Sequence, residues 1–329
     1  MEKMNNDELI FAEYDKSLRP KRLVDYIGQE DIKEMLHVFI TTARQREESL
    51  DHVLLYGPPG LGKTTLANII ANEMGKKCHT TSAPSLSRIG DLVTLLTELD
   101  EGDILFIDEI HRLPQIIEEV LYSAMEDYFV DIIIGKDVTA NPMKINLMPF
   151  TLIGATTRCG DISSPLRDRF GIVHQLNYYK TSELQRIVKR TSRIYQFEID
   201  EESSLEIAKR SRGTPRIANR LFKRVRDFAQ FDNPECKSIP LSITKSSLTK
   251  LDIDEAGLDQ TDYKYINAII SRFNGGPAGL NAIAASISED ATTLEDVTEP
   301  YLLQEGFIVR TPRGRVVTDK AYRHLGKEK

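Results

Sequence analysis

Cysteine is scarce in this chain. Cys78, Cys159 and Cys236 are odd in number, far apart and without a CxxC pair. That argues against a disulfide framework or a zinc site and fits a reducing compartment, with the cytoplasm as the expected location. No apolar run approaches the ~20 residues needed to cross a bilayer. The first residues, MEKMNNDELIFAEYDK, are polar and acidic and read as neither a signal peptide nor a transit peptide. Internal repeats and low-complexity tracts are lacking, and so is any excess of base: Lys+Arg number 43 against Asp+Glu 50, a formal charge of −7. Nucleic acid is not thereby excluded, because binding depends on where charge sits. What is present is 329 residues, 40% hydrophobic and 28% charged, enough for two or three domains with buried cores.

The first half carries nucleotide chemistry. The short apolar run His52 to Tyr56 leads directly into GPPGLGKTT, Gly57 to Thr65, and a helical pattern follows from Leu66. Strand, GxxxxGK[ST] loop and helix are the context a P-loop requires. Its glycines let backbone N–H groups close on phosphate oxygens, and the helix N-terminus adds its positive end. Lys63 would reach the β- and γ-phosphates of ATP, and the Thr64 hydroxyl would hold Mg²⁺. A second run, Ile104 to Ile107, is apolar throughout, as in a strand buried on both faces, and ends in Asp108-Glu109. One carboxylate there serves the Mg²⁺ shell and the other polarises the attacking water. A third strand, Thr151 to Thr157, ends in hydroxyls, and Thr156 is placed for the γ-phosphate or the water. In Ser164 to Phe170, Arg167 and Arg169 are candidates for an arginine supplied from outside the site, or for a surface ion pair with Asp168.

Between the second and third strands, Phe129 to Lys136 and Ile145 to Leu147 read as a hairpin joined by a loop containing Gly135, Asn141 and Pro142. Ile132, Ile133 and Ile134 are too apolar for solvent and meet either a partner or their own domain. In Gly213-Thr214-Pro215-Arg216, Thr214 suits an N-cap and Pro215 the first helical position, which fixes Arg216 in a first turn. Ile217, Leu221, Val225 and Phe228 then share one face. Beyond an acidic stretch, Leu251 to Gly257, come three helical patterns: Ile266, Ile269, Ile270 and Phe273; Leu280, Ile283, Ala284 and Ile287; Leu294, Val297, Tyr301 and Leu302. Two short strands around Pro312 complete a winged helix. The third helix carries Glu295, Asp296 and Glu299, which would repel phosphate, whereas from Tyr301 onward the charge is +4. Basic charge on a wing beside an acidic helix favours contact with the DNA backbone over base reading.

GPPGLGKTTLA, ILFIDEIHRL, TLIGATTR, SPLRDRFGIV and GTPRIANRL, in this order, resemble the core of the AAA+ ATPases. With SLRPKRLVDYIGQE and EPYLLQEGFIVRTPRGRVVT the resemblance narrows to the RuvB branch-migration motors and runs from about residue 15 to about residue 325. It implies an α/β P-loop ATPase domain with a parallel sheet (1–180), a small all-α lid (181–254) and a C-terminal winged helix (255–329). It implies Leu18, Arg19 and Tyr179 at adenine, and Gly60, Gly62, Lys63, Thr64 and Thr65 at phosphate. Thr64 and Asp108 would serve the metal, Glu109 the water, Thr156 the first sensor and Arg216 the second. Arg169 would be a finger given to the neighbouring subunit, with Glu126, Asp127 and Tyr128 also at nucleotide; the family more often has Phe at the position of Tyr128. Asp161 stands where an apolar residue is expected. Arg310 and Arg315, with Arg313 beside them, would touch DNA. The implied assembly is a homo-hexamer around duplex DNA at a four-way junction, with a RuvA-like partner on Ile132–Ile134 and a RuvC-like resolvase nearby. A nucleotide-gated DNA-binding switch, as in replication initiators, is the competing class. It would read bases through a basic recognition helix. A clamp-loader subunit fits the ATPase core but not RTPRGR.

Overall fold

Three apolar runs that can be buried on both faces set the architecture of the ATPase half. The computed structural model describes residues 18–134 and 141–328, with 132–134, 141 and 142 described by backbone alone. Strands β1 (Val53–Tyr56), β2 (Cys78–Ser82), β3 (Ile104–Asp108), β6 (Thr151–Thr156) and β7 (Ile172–Gln175) form one parallel sheet in the order β2-β3-β6-β1-β7. The three runs occupy its centre, where Leu54, Leu105, Ile107 and Leu152 are buried. Helices α1 (Glu30–Arg46), α2 (Lys63–Met74), α3 (Ile89–Thr97) and α4 (Gln115–Glu126) belong to the same unit. Parallel strands deliver their carboxyl ends to one edge, which is where loops can converge on a ligand. The P-loop leaves β1 at that edge, and Gly57 N–H is bonded to the carbonyl of Thr156 at the end of β6 (3.1 Å).

The hairpin is present as a separate two-stranded ribbon, β4 (Phe129–Ile134) against β5 (Asn141–Asn146). Asn141 and Pro142, expected in its loop, instead pair with Ile134 and Ile133. A two-stranded ribbon tolerates proline because each strand has one unpaired edge. The side chains of Ile132, Ile133 and Ile134 lie outside the described residues, as does Gly135.

A second compact unit comprises Val188–Gly213 and Ile217–Lys329. Chain enters it along α6 (Thr181–Ile194) and α8 (Pro215–Asp232), with α7 (Glu201–Lys209) and α9 (Leu241–Lys250) completing a helical bundle. β8 (Glu198–Ile199) and β9 (Ser238–Ile239) tie that bundle by a two-residue parallel pair. Next come α10 (Gln260–Phe273), α11 (Leu280–Ile287) and a third helix in three pieces, Ala291–Thr293, a π-helical Leu294–Thr298 and Glu299–Gln304. The wing is β10 (Ile308–Thr311) against β11 (Gly314–Val317). Tyr265, Ile266, Ile269, Ile283, Leu294, Leu302 and Phe307 form its core.

Val297 does not join them; it is 61% exposed. A π-helical turn adds a residue to the repeat, so the buried face passes to Thr298 and Glu299. Arg212 fastens the helical bundle to the winged part. Its Nε donates to Gly257 O at 2.8 Å, its Nη2 pairs with Asp259 at 2.9 Å and with Asp262, and its guanidinium lies 5.2 Å from the Tyr301 ring centre. The Tyr301 hydroxyl donates to Ala256 O at 2.5 Å.

Candidate nucleotide site and DNA-facing wing

The loop after β1 is built to receive phosphate. Gly57, Gly60 and Gly62 have φ of 138°, 81° and 103°, conformations L side chains rarely adopt. A Cβ on Gly60 would stand 3.0 Å from Cβ of Arg216, and one on Gly62 only 2.7 Å from the Tyr26 hydroxyl. Lys63 opens α2 and is 8% exposed; its Nζ donates to Gly57 O at 2.7 Å and Pro58 O at 3.0 Å. Burial lowers its pKa, while Asp108 and Glu109 oppose that shift. Thr64 and Thr65 follow, half-buried, in the first helical turn. Phosphate oxygens would replace those two carbonyls at the ammonium, so the donor set fits a nucleotide triphosphate.

Asp108 and Glu109 end β3 opposite this loop. Asp108 Oδ1 accepts the Glu109 N–H at 3.0 Å, and Glu109 itself is left-handed, φ 53°. Non-glycine residues held there cluster at functional sites. The short turn Ile110–Arg112 then brings back His111, whose Nε2 lies 3.5 Å from Glu109 Oε2 and whose Nδ1 lies 2.8 Å from Thr156 Oγ1. Sequence reasoning passed over His111, although ILFIDEIHRL contains it. Thr156 is fully buried, and its hydroxyl also accepts the Arg158 N–H at 2.9 Å. The Thr156 oxygen is thus engaged inside the fold, and the neighbouring Thr157 is partly exposed.

On the other side of the loop, Tyr179 is buried and its hydroxyl donates to that of Tyr26 at 2.9 Å, while Tyr26 donates to Leu61 O at 3.2 Å. Burial pushes Tyr179 up to about 12, so the pair stays neutral. Tyr26 too was passed over, although VDYIGQE carries it; Gly28, whose Cβ would meet the Tyr179 ring at 2.7 Å, completes the contact. Leu18 is half-buried and Arg19 exposed.

Arg169 follows the short helix α5 (Ser164–Arg167), which Ser163 caps through the Leu166 N–H. Its Nη1 donates to Pro165 O at 2.7 Å, Nη2 pairs with Glu126 at 3.1 Å, and the guanidinium lies 4.5 Å from the Tyr122 ring centre. None of these partners belongs to the Lys63, Asp108 and Glu109 group. Tyr122 is held by Ser163 at 3.1 Å, and Ser163 donates to buried Glu118 at 2.5 Å. An open cleft of about 510 Å³ beside them includes Arg169, Tyr128, His52 and Asp51. Tyr128 packs edge-on to Phe150 at 6.0 Å, a place Phe would also fill, and burial raises its pKa. Asp161 is exposed, with Arg158 at 3.9 Å, which explains why a charge is tolerated there. Arg167 is exposed. Pro215 is the first residue of α8, as expected, and the exposed Arg216 donates its N–H to Gly60 O at 3.3 Å.

On the wing the strands reach further than expected, so Arg310 and Arg315 face each other as cross-strand partners around the turn Pro312-Arg313. Like charges in that relation repel. Two carboxylates one helical turn apart relieve it: Arg310 Nη2 meets Glu295 Oε1 at 2.5 Å, and Arg315 binds Glu299 by Nε at 2.7 Å and Nη2 at 3.0 Å. The Tyr265 hydroxyl also donates to Glu299, at 2.5 Å. The acidic helix is thus the wing's scaffold rather than a bare repulsive face. Arg315 is 8% exposed, whereas Arg310 and Arg313 are exposed. Gly314 is required where it stands, since its Cβ would come within 2.4 Å of Ala278 O.

Three family models match in succession: the Holliday junction DNA helicase RuvB P-loop domain over residues 18–176, the RuvB AAA lid domain over 179–254 and the RuvB C-terminal winged helix domain over 255–326. The Holliday junction branch migration complex subunit RuvB of Acholeplasma laidlawii is 60% identical over 322 residues, covering 98% of this chain and 93% of that protein. The protein of the same name from Lactiplantibacillus plantarum is 60% identical over 315 residues, covering 96% and 93%. A solved structure of the Thermotoga maritima RuvB Holliday junction branch migration motor superposes with a TM-score of 0.86 at 51% identity, covering 95% of this chain and 99% of that one.

Proposed function

The chain belongs to the RuvB family of Holliday junction DNA helicases, and we propose that it is the ATP-driven motor that moves the branch point of such junctions. The observation that carries this reading is Lys63, buried in a glycine loop with its ammonium on two loop carbonyls and the Asp108-Glu109 pair close enough to oppose the lowering of its pKa by burial. ATP is bound with its phosphates on the loop N–H groups of Gly60 and Gly62 and on Lys63, Thr64 and Thr65. Leu18, Arg19 and Tyr179 border adenine. Thr64 and Asp108 would hold Mg²⁺, which would supply charge neutralisation at the phosphates. Glu109 takes the proton side of the attacking water, and Arg216 reads the γ-phosphate from α8. The sensor role falls to Thr156 at the end of β6, coupled to His111 and Arg158.

Arg169, paired with Glu126 and sharing a cleft with Tyr128, completes the site of a neighbouring copy in a hexamer together with Asp127, and its guanidinium stabilises transition-state charge. Arg310 and Arg313 hold duplex phosphates; Arg315, its Nε and Nη2 already on Glu299, adds Nη1. The contact is to the backbone, which suits a motor that must ignore sequence. Ile132–Ile134 receive the RuvA-like partner, and a RuvC-like resolvase joins the same assembly.

The test is a synthetic four-way junction with an added RuvA-type protein, scored for ATP-dependent arm separation. Wild type should separate the arms, and Lys63→Ala and Arg310→Ala/Arg313→Ala should not. ATP hydrolysis by wild type without arm separation would instead favour a nucleotide-gated switch.

A further inference from the structure

His111 lies between the two sides of the hydrolytic site, and the groups facing its two nitrogens favour the tautomer with the proton on Nε2. Thr156 Oγ1 already accepts the Arg158 N–H at 2.9 Å and has a single proton of its own to give. His111 Nδ1, 2.8 Å away, is placed to receive it, and the Glu109 carboxylate beside Nε2 favours that assignment because a carboxylate only accepts. A neutral imidazole whose Nδ1 accepts must carry hydrogen on Nε2, and Nε2 is the atom 3.5 Å from Glu109 Oε2. The His111 side chain is 10% exposed against 38% for Glu109. A shielded ring therefore stands beside a more exposed carboxylate. Burial lowers the His111 pKa against the pull of Glu109, in keeping with a neutral ring. Glu109 begins the turn from a left-handed backbone, and Arg112 N–H closes on Glu109 O at 2.8 Å. His111 and Glu109 are thus held in register by one tight turn.

We propose that His111 is the positioning residue of the hydrolytic carboxylate: anchored by Nδ1 on Thr156, it presents Nε2–H to Glu109 and holds that side chain for water activation. The arrangement follows the logic of a base oriented by a third group. Hydrogen bonds of this kind are commonly long without substrate and shorten in the reactive complex. Thr156 at the end of β6 and Glu109, just beyond β3, are thereby joined through one ring. The proposal rests on Glu109 being the group that activates water.

The experiment is steady-state ATP hydrolysis by the full chain on duplex DNA, comparing His111→Leu, His111→Gln, Thr156→Val and Glu109→Gln, each checked by thermal melting. Glu109→Gln should lower kcat by about 100-fold or more. His111→Leu should lower kcat by ~10- to 100-fold with KM within about twofold, the signature of an interaction made only in the transition state. His111→Gln, whose amide N–H reaches where Nε2–H stood, should recover to within roughly fivefold of wild type. Thr156→Val should resemble His111→Leu, and carries the test should the leucine variant not fold. Combining His111→Leu with Glu109→Gln should cost no more than Glu109→Gln alone, because both remove one unit. Wild-type kcat in His111→Leu beside an inactive Glu109→Gln would overturn the proposal, as would a raised KM with unchanged kcat. Full activity of Glu109→Gln would instead overturn the underlying reading of the site.

Discussion

Arg315 grips Glu299 with two hydrogen bonds, 2.7 and 3.0 Å, while Arg310, directly across the wing, lies in the open with Glu295. Glu299 is 1% exposed and Arg315 8%. The two arginines therefore answer to different physics. A buried pair is expensive to break because it leaves a stranded charge, whereas an exposed one exchanges readily with solvent, salt or phosphate.

Arg310→Ala and Arg313→Ala should weaken binding to duplexes of any sequence to a similar degree. For every phosphate no longer neutralised, the slope of log affinity against log salt should fall by about 0.9. Fluorescence anisotropy titrations at several salt concentrations measure this, with melting temperature expected to stay at the wild-type value.

Glu299→Ala should act on the fold first. Removing one partner of a buried pair costs about 3–5 kcal/mol, which calorimetry will register as a lowered transition of the winged segment. Glu299→Leu with Arg315→Met should recover much of that loss, since an apolar pair strands no charge.

Arg169→Ala should lower the ATPase rate by about 10³-fold without loosening nucleotide binding to the same degree. Mixed rings test where the arginine acts. Lys63→Ala and Arg169→Ala subunits, each inactive alone, should regain activity when combined, because one supplies the intact finger and the other the intact loop. Absence of complementation would place Arg169 outside a shared site.

Acid should destabilise the ATPase domain through His52. Its Nε2–H donates to Met125 O at 3.0 Å, and its Nδ1 accepts the Leu152 N–H at 2.9 Å. Protonating Nδ1 destroys the second bond. Burial holds the folded pKa below the ordinary 6.5, with the Met125 bond and Asp51 opposing. The unfolded chain thus binds more protons, so this stability is present above pH 6.5 and is lost as pH falls below it. Melting temperatures across pH 5 to 8 should show the slope, and His52→Asn should flatten it.

The central strands were legible because strands buried on both faces carry near-continuous apolar runs, as β1, β3 and β6 do. The sheet's edges were not. β2 is Cys-His-Thr-Thr-Ser with every residue at least partly exposed, and β7 is four residues long. The P-loop and the paired carboxylates announce themselves by spacing along the chain. His111, Tyr26 and Tyr122 act through partners 45, 35 and 41 residues away, so local pattern could not single them out. Val297 was placed on the buried face by an ordinary helical repeat, and a π turn has no such signature. Glu299 read as a surface acid for the same reason that Arg315 read as a surface base. Each is neutralised by the other, sixteen residues apart.

Arg212 leaves little play between the helical bundle and the wing. It binds Gly257, Asp259 and Asp262 together and lies on Tyr301, so a swivel at the junction it crosses would have to break those contacts. In a machine that pulls on a load, a swivel acts as a spring in series: the first part of every stroke winds it up and moves nothing. With the clamp in place, an angle turned by the bundle is an angle turned by the wing, and travel at Arg313 is set by its radius from the pivot. Compliance then has to come from the duplex being held, not from the hand that holds it.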